Sequence, residues 1–281
     1  MKCFLFFVLG LVSAFSANSQ EKELFSSKHY KHQFFAYWGW NRDWYTNADL
    51  HFRGNDYNFT LANAIGKDAP TSLGFDPYLS PGRITIPQTN FRIGYFFKDN
   101  WSISLGLDHM KYVMQQDQVL KMNGFIQNSN TPYDGVYNNI NMPLASDFLK
   151  FEHTDGLNYI NVEIRRFDTI LNLRRFHLPN IDLNITEGVG IGALLPKTNT
   201  TLLGNERYDE FHLAGYGASA FVGFNITFFE YFFIQTELKT GYINMPDIRT
   251  TKFSSDRADE NFLFLQSNIL VGANFRLGKK D

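Results

Sequence analysis

The sequence of 281 residues predicts an all-β fold, a closed antiparallel up-and-down transmembrane β-barrel of about eight strands with long extracellular loops. Three observations predict it. Apolar and polar residues alternate with a period of two in eight segments. Short and long connections alternate between these segments, as they do in bacterial outer-membrane barrels. An N-terminal export signal precedes them, and no later segment reaches the length of a transmembrane helix.

The composition indicates that apolar and polar side chains are finely interleaved. Aromatic residues make up 17% of the chain and include 29 Phe, whereas charged residues make up 19%. Hydrophobic residues reach 44%, yet the mean hydropathy is −0.27. The formal net charge of −2 excludes a dominant basic surface, so no nucleic-acid partner is expected.

Residues 1–19 have the organisation of an export signal. Lys2 gives the positive charge, residues 4–12 (FLFFVLGLV) are apolar, and small residues follow in SAFSANS. We expect cleavage after Ser19, with Ser16 as the alternative, which leaves 20–281 as the barrel domain. An uncleaved anchor is the other interpretation, but a spanning helix needs roughly 20 apolar residues. The single cysteine, Cys3, lies in the signal, so no disulfide is expected in the exported chain.

The barrel strands follow in chain order. In the segment FRIGYFF, Phe91, Ile93 and Tyr95 share one face, whereas Arg92 and Gly94 share the other. Small and charged residues on the second face suit a narrow lumen, and the apolar face suits lipid. The eight predicted strands are 34–45, 88–98, 101–114, 156–166, 180–194, 212–227, 231–245 and 262–277.

The connections predict which end of the barrel faces outward. Those at 98–100 and 228–231 are tight, whereas four others are long and polar, and short turns face the periplasm in this class of barrel. Both termini then lie in the periplasm, as does the medium connection 167–180. Residues 48–60 also alternate, and we interpret them as an extension of the barrel above the membrane. The long connections are 46–87, 115–154, 195–211 and 246–261.

The polar face of the predicted strands carries ionisable side chains of both signs. An eight-stranded lumen is just wide enough for side chains, and unpaired charges there are costly. We therefore expect an ion-pair network that fills the lumen, with a proton or ion path as the alternative. Glu187 falls on the apolar face, which a β-bulge or a position near the membrane edge would explain. The expected lumen residues are Asp43, Arg92, Asp108, Glu163, Arg165, Asp182, Glu237, Lys239 and Arg276.

Aromatic side chains gather near the predicted ends of the strands. Aromatic residues form interfacial girdles around membrane barrels, and this is the interpretation we adopt, with a sugar-stacking platform as the alternative. Phe97, Trp101, Phe229 and Tyr231 lie at the periplasmic turns, and Trp38, Trp40 and Trp44 lie toward the other end of the first strand.

Other motifs do not predict catalysis. Asp108 and His109 are neighbours on a strand and so point to opposite faces. The segment GVGIGA, 188–193, lies inside an alternating strand and is not expected to bind a dinucleotide. No His, Cys, Asp and Glu spacing predicts zinc, so neither metal nor cofactor is expected. One group near a loop has no specific spacing, although it could resemble an acyltransferase cluster: Ser146, Asp147, His153 and Asp155.

The chain resembles the small Gram-negative outer-membrane β-barrels, an eight-stranded OmpA/OmpX/OmpW-like group. The segment YFFKDNWSISLGLD looks like a periplasmic hairpin of that group, and FFAYWGW and ILVGANFRL fit its first and closing strands. The resemblance implies the outer membrane as location, with membrane lipid and lipopolysaccharide around the barrel and the barrel-assembly machinery as a partner during insertion. It does not transfer a function.

Three functions are open at this point. The first is a non-enzymatic barrel whose long extracellular loops have a structural or surface-interaction role. The second is a conduit for small or apolar ligands, which a lateral gap in the wall or a continuous lumen would favour. The third is a lipid A-modifying enzyme. Deacylases of this size carry a lipid-facing His and Ser two positions apart, but Leu107 and Lys111 flank His109 here at that spacing. The sequence favours the first.

Overall fold

A computed structural model describes residues 30–72, 74–78, 80, 82–83, 86–173 and 181–277. The predicted export signal, 1–19, lies outside the described residues. Among the described residues, no helix has the length and apolar character needed to cross a membrane. The described chain forms one helical turn, Phe75–Tyr78, and the strands β1 (Phe34–Tyr45), β2 (Ala48–Arg53), β3 (Tyr57–Ala64), β4 (Gly66–Lys67), β5 (Thr89–Lys98), β6 (Trp101–Met110), β7 (Val113–Met114), β8 (Val119–Ile126), β9 (Gly135–Pro143), β10 (Leu149–Glu152), β11 (Leu157–Asn172), β12 (Ile181–Leu194), β13 (Asn199–Leu202), β14 (Gly215–Phe228), β15 (Phe232–Arg249) and β16 (Arg257–Phe275).

Eight of these strands close into an antiparallel barrel. Around the ring they follow the order β1, β5, β6, β11, β12, β14, β15, β16, and β16 pairs with β1 to complete it. Each barrel strand therefore pairs with the next barrel strand in sequence, which is the up-and-down topology. The predicted fold class is confirmed.

The middle of the barrel wall is polar inside and apolar outside. Successive side chains of a strand point to opposite faces, and in β6 Ser104 and Asp108 are buried in the lumen whereas Leu105 is 54% exposed on the outer wall. Ile234 on β15 is likewise 47% exposed outside. A continuous apolar outer surface of this kind matches a lipid environment.

The two ends of the barrel differ. The turn end carries the tight β5–β6 and β14–β15 turns, the start of β1 and the end of β16. There β11 continues to Asn172 and pairs with β12 beyond the expected limit of 166, so the predicted connection 167–180 is partly strand. The opposite end, the head end, carries all four long connections.

The long connections at the head end are folded. Strand β16 extends beyond the barrel and pairs with β2, and the sheet continues through β3 and β8 to β9. A second sheet has the order β13, β10, β7, β4. We call these eight shorter strands and their connections the head. The interpretation of residues 48–60 as an extension of the barrel is confirmed, because β2 and β3 add to the top of β16 and do not enter the ring.

The head has a hydrophobic core that continues into the barrel. Phe52, Phe59, Phe148 and Phe151 are buried between its two sheets. The alternation of the sequence predicts only part of this core, because the strands that pair with one another in the head lie far apart along the chain. Further members of the same core belong to the barrel strands at the head end, and they include Met110, Leu157, Tyr159, Leu194, Ile243 and Phe264.

Candidate functional site in the barrel lumen and wall

Six of the expected lumen residues form one buried charged cluster, which we call the lumen cluster. It has three bases and three acids, and each member is at most 3% exposed. The members lie on the inward face of β5, β6, β11 and β15, so the alternation of these strands places them together. They are Arg92, Asp108, Glu163, Arg165, Glu237 and Lys239.

Glu163 lies at the centre of the lumen cluster. Its carboxylate oxygens are 2.8 Å from Arg92 Nη2, 3.0 Å from Arg165 Nη2 and 2.8 Å from Lys239 Nζ. Lys239 Nζ also lies 2.7 Å from Asp108 Oδ2. The cluster is thus a connected network, in which each charge is compensated within a space that excludes water.

Glu237, the third acid of the lumen cluster, pairs mainly with Arg165. Arg165 Nη1 lies 2.7 Å from Glu237 Oε2. The guanidinium of Arg165 also stacks 4.0 Å from the centre of the Phe221 ring, a favourable cation–π position.

Neutral side chains that the sequence analysis did not single out complete the lumen cluster. The Tyr37 hydroxyl accepts hydrogen bonds from Arg92 Nε at 2.9 Å and from Arg165 Nη2 at 3.3 Å. Asn161 accepts from Arg92 Nη2 at 2.6 Å and donates to Asp108 at 3.1 Å. Alternation along β1 and β11 indicates that Tyr37 and Asn161 face the lumen. It does not indicate their hydrogen-bond partners, because these lie on other strands.

Three expected lumen residues lie outside the lumen cluster. Asp43 is buried nearer the head end, where Gln266 donates to it at 3.0 Å. Asp182 is buried near the turn end. Arg276 is exposed and follows the last residue of β16, Phe275. The expectation that Arg276 faces the lumen is corrected, because pairing of β16 with β1 ends at Phe275 and Arg276 has left the wall.

Apolar side chains seal the lumen on both sides of the lumen cluster. On the head side, Tyr159 and Phe264 are buried with the core of the head. The lumen cavity on the turn side, next to Phe35 and Arg165, has a volume of about 10 Å³, room for about one water molecule. The described side chains on both sides of the lumen cluster therefore leave little room for water. The apolar group at the turn end is Tyr30, Phe35, Tyr37, Phe96, Phe167, Phe233 and Leu270.

The predicted girdle residues lie on the outer wall. Trp101 and Tyr231 are partly or largely exposed beside the tight turns, together with Phe97 and Phe229. Toward the head end, Trp44 is 56% exposed. Trp40 contacts Tyr78, with ring centroids 5.9 Å apart, and Trp38 contacts Trp40 at 4.7 Å nearer the middle of β1. Their role as a membrane-interface girdle remains a proposal.

Glu187 lies on the outer wall without a β-bulge. It pairs with Arg166 on β11 and with Val222 on β14 in an unbroken register. Arg166 in turn pairs with Trp101 at the turn end. Of the two explanations for this residue, the structure favours a position near the edge of the apolar wall.

The other candidate catalytic residues do not assemble into a reactive site. His109 points away from Asp108, and its Nδ1 lies 2.8 Å from Asn158 Oδ1. His153 is fully buried between Glu260 and Thr198, with ring nitrogens 3.0 Å from each of them. Asp155 instead lies 3.4 Å from Lys197 at the surface.

The glycine segment 188–193 forms part of β12. A Cβ at Gly190 would lie 2.9 Å from Glu163 Cγ, so this glycine leaves room for the central acid of the lumen cluster. The segment therefore has a packing function within the barrel wall.

The barrel wall is interrupted beside the upper part of β1. Strand β1 pairs with β5 from Phe34 to Trp40, because β5 begins at Thr89. From Arg42 to Tyr45, β1 pairs with β16 on one side, and the described residues provide no strand partner on the other. We call this position the wall interruption.

Side chains close the wall interruption. Asn41 Nδ2 donates to the carbonyl oxygen of His109 at 3.2 Å, and the Tyr45 hydroxyl donates to that of Lys111 at 2.9 Å. The backbone N–H of Asp43 donates to Asp68 Oδ2 at 3.1 Å. Asp68 directly follows β4, so the first long connection covers the interruption.

The chain is similar in structure to several known outer-membrane proteins. Neither models of known protein families nor curated protein sequences give a match. Among solved structures, the chain is similar to the outer membrane protein OprG from Pseudomonas aeruginosa, with 10% identity, a TM-score of 0.42, and coverage of 89% of this chain and 99% of that one. It is also similar to the outer membrane protein AlkL, with 9% identity, a TM-score of 0.40, and coverage of 94% and 100%. Ail, the attachment invasion locus protein of Yersinia pestis, gives 10% identity, a TM-score of 0.34, and coverage of 87% and 99%.

Proposed function

We propose that this chain is a non-enzymatic outer-membrane protein whose sealed barrel anchors the head at the cell surface. The head then provides a structural or interaction surface toward lipopolysaccharide or a partner protein. Long connections face the exterior in bacterial barrels, which orients the head outward. The observation that carries the proposal is the lumen, in which a buried charged cluster lies between two buried apolar groups and only a small cavity of about 10 Å³ lies on the turn side.

The charge balance of the lumen cluster supports a structural role. Three bases and three acids neutralise one another in a region from which water is excluded. A conducting path would need mobile water and charges that an ion can approach. An ion-pair network that is buried on all sides serves instead to fill the interior and to fix the register of the strands.

Conductance measurements test the proposal. Purified protein in planar bilayers should show no steady current. Glu237→Ala should lower the midpoint of unfolding, because Arg165 loses the closer of its two carboxylate partners and the lumen cluster keeps three bases against two acids. It should still open no channel. A stable wild-type current whose selectivity changes in Glu237→Ala would contradict a sealed lumen.

A second candidate function is a lateral conduit for small apolar ligands, which the wall interruption favours. Such a ligand would pass between β1 and β6, where side chains replace the backbone ladder. Asn41→Leu and Tyr45→Phe together remove the two side-chain hydrogen bonds that close this position. Faster uptake of a small apolar ligand in this double variant than in the wild type would support the conduit, whereas unchanged uptake would exclude this route.

A further inference from the structure

Two basic side chains lie outside the barrel wall, one on each side of the wall interruption. Arg42 lies on β1, Lys111 directly follows β6, and both side chains are partly exposed. Tyr78, in the first long connection, accepts a hydrogen bond from Arg42 Nη2 at 2.7 Å. Its hydroxyl donates to the carbonyl oxygen of Thr71 at 2.8 Å, and Lys111 Nζ donates to Thr71 Oγ1 at 3.4 Å. Both cations therefore contact the same segment, 71–78.

Neither cation has an ion pair with a carboxylate of the described residues. Arg53, on β2 of the head, shows the usual arrangement, with a carboxylate oxygen 2.7 Å away. The Arg42 guanidinium has five N–H groups, and it donates to a backbone carbonyl oxygen at 2.8 Å and to the Tyr78 hydroxyl. The Lys111 ammonium has three, and Thr71 is its acceptor in the described part of the chain. Positive charge and free donors are therefore left for an anion.

Two acids act on these cations at longer range, and both are engaged elsewhere. The oxygens of Asp68 accept hydrogen bonds from a backbone N–H at 3.1 Å and from a glutamine side chain at 2.7 Å within the wall interruption. Asp155 lies 3.4 Å from Lys197. Neither carboxylate is placed to form an ion pair with the two cations.

The cations lie at the upper limit of the apolar wall. Lys111 follows Trp101, which is at a tight turn, by ten residues, and Ile103 and Leu105 are exposed on the outer wall between them. A strand rises about 3.3 Å per residue and is tilted by about 35–45°, so ten residues span about 25 Å along the membrane normal. The apolar band of an outer-membrane barrel has about this height. Lys111, and Arg42 beside it, are therefore expected at the level of the lipid headgroups.

The segment that contacts the cations also exposes large apolar side chains. Phe75 is 76% exposed in the helical turn that ends at Tyr78, and Ile86 in the same connection is 47% exposed. The Tyr78 ring itself packs against Trp40 on the outer wall. Apolar side chains exposed beside uncompensated cations are unfavourable in water, but they suit the boundary between acyl chains and charged headgroups.

We propose that Arg42 and Lys111 bind a phosphate of lipid A, the phosphorylated membrane anchor of lipopolysaccharide, with Phe75 against its acyl chains. Arginine offers paired N–H groups to phosphate oxygens, and lysine offers a compact charge. The proposal rests on the proposed function, which places the head end, and so this site, in the outer leaflet. A lipid held here covers the wall interruption from the membrane side.

Lipid binding to the full exported chain tests the site. The protein is purified in detergent, free of lipopolysaccharide, and titrated with fluorescently labelled lipid A in a chelator, so that no divalent cation bridges phosphates to acids. Phosphorylated lipid A should bind about tenfold more tightly than the same lipid after its phosphates are removed. Millimolar inorganic phosphate should not displace it. Equal affinity for the two lipids, or displacement by inorganic phosphate, would overturn the proposal.

Variants separate this site from general effects of charge and apolar surface. Lys111→Gln should weaken binding of phosphorylated lipid A about tenfold, whereas Lys111→Arg should retain it. Lys98→Gln is the matched control, because it removes the same charge from an exposed position at the turn end, and it should bind as the wild type does. Phe75→Ser should weaken binding of both lipids, and Val136→Ser, at a position 86% exposed on the head, should not. Equal binding by Lys111→Gln and the wild type would refute a phosphate contact.

The lipid site and the proposed function fail separately. Binding in detergent does not depend on a sealed lumen, so a steady current together with phosphate-dependent binding would count against the proposed function alone. A barrel without current that binds both lipids equally would count against the lipid site alone.

Discussion

Glu163 holds the lumen cluster together at the scale of single residues. It contacts Arg92, Arg165 and Lys239, whereas Asp108 and Glu237 each depend mainly on one close base. The Glu163 side chain occupies space that a side chain at position 190 would fill, and Gly190 is its partner on the neighbouring strand. The charge of Glu163 therefore compensates more of the lumen than that of either other acid.

Glu163→Gln should destabilise the protein by about 3–5 kcal/mol, because it leaves three buried cations against two carboxylates while keeping the size of the side chain. The free energy of unfolding in urea, measured in lipid vesicles by tryptophan fluorescence, gives the value. Glu187→Gln is the matched control on the outer wall and should change stability by less than about 0.5 kcal/mol.

A second substitution tests whether charge balance is the cause. Lys239→Met in the Glu163→Gln background removes one cation and restores neutrality. Since the two residues are in contact at 2.8 Å, the double variant should lose less stability than the sum of the single variants. Strict additivity would mean that the network does not couple these charges.

The sequence predicts which residues face the lumen but not which of them meet. Alternation fixes the inward face of Asp108 and Lys239, whose contact at 2.7 Å joins positions 131 residues apart. Which strands face each other across a barrel depends on the stagger of the whole ring, and no single strand carries that information. The expectation that Arg276 faces the lumen was wrong for a related reason. The alternation of residues continues past Phe275, where the pairing of β16 with β1 ends.

At the scale of strands, the outer wall of the barrel and the outer face of the head expose apolar residues to different surroundings. Leu105 on β6 is 54% exposed in the middle of the apolar wall, and Val136 on β9 is 86% exposed on the head. Leu105 and Val136 are therefore both exposed on the surface of the protein. We expect Leu105 to contact lipid and Val136 to contact water.

Arginine at the two positions should separate these environments. Leu105→Arg should destabilise the barrel by about 2–4 kcal/mol if the residue lies near the bilayer midplane. Val136→Arg places the same charge in water and should have little effect. Urea unfolding in vesicles measures both, and a similar loss for the two variants would contradict the assignment of the outer wall to lipid.

Some strands of the head cannot be predicted from the alternation of apolar and polar residues. Strands β2 and β3 alternate clearly, and this alternation predicts an extension of the barrel above the membrane. Strands β4, β7, β10 and β13 have two to four residues each and show no usable period. Their sheet depends on partners such as Phe151 and Thr200, which come from two separate long connections.

At the scale of the whole molecule, the barrel and the head share one hydrophobic core. Tyr159 and Phe264 point inward from barrel strands and belong to the same cluster as Phe52 and Phe148 in the head. The connections 46–87 and 115–154 are long enough to be flexible loops, yet their strands pair with β16, with one another or with the short strands β7 and β13. The head should therefore behave as a folded part of the protein.

Proteolysis of intact cells that express the protein tests this expectation. The head should resist a protease of broad specificity, because its long connections are held in paired strands over a buried core. Phe148→Ser removes a fully buried ring from that core and should make the head cleavable, while the membrane-embedded barrel still shows heat-modifiable gel mobility. Phe125→Ser is the matched control, since this ring is 37% exposed on the outer face of β8, and it should leave the head resistant. Rapid cleavage of the wild-type head would mean that the long connections are flexible loops, and that the surface proposed for interaction is not preformed.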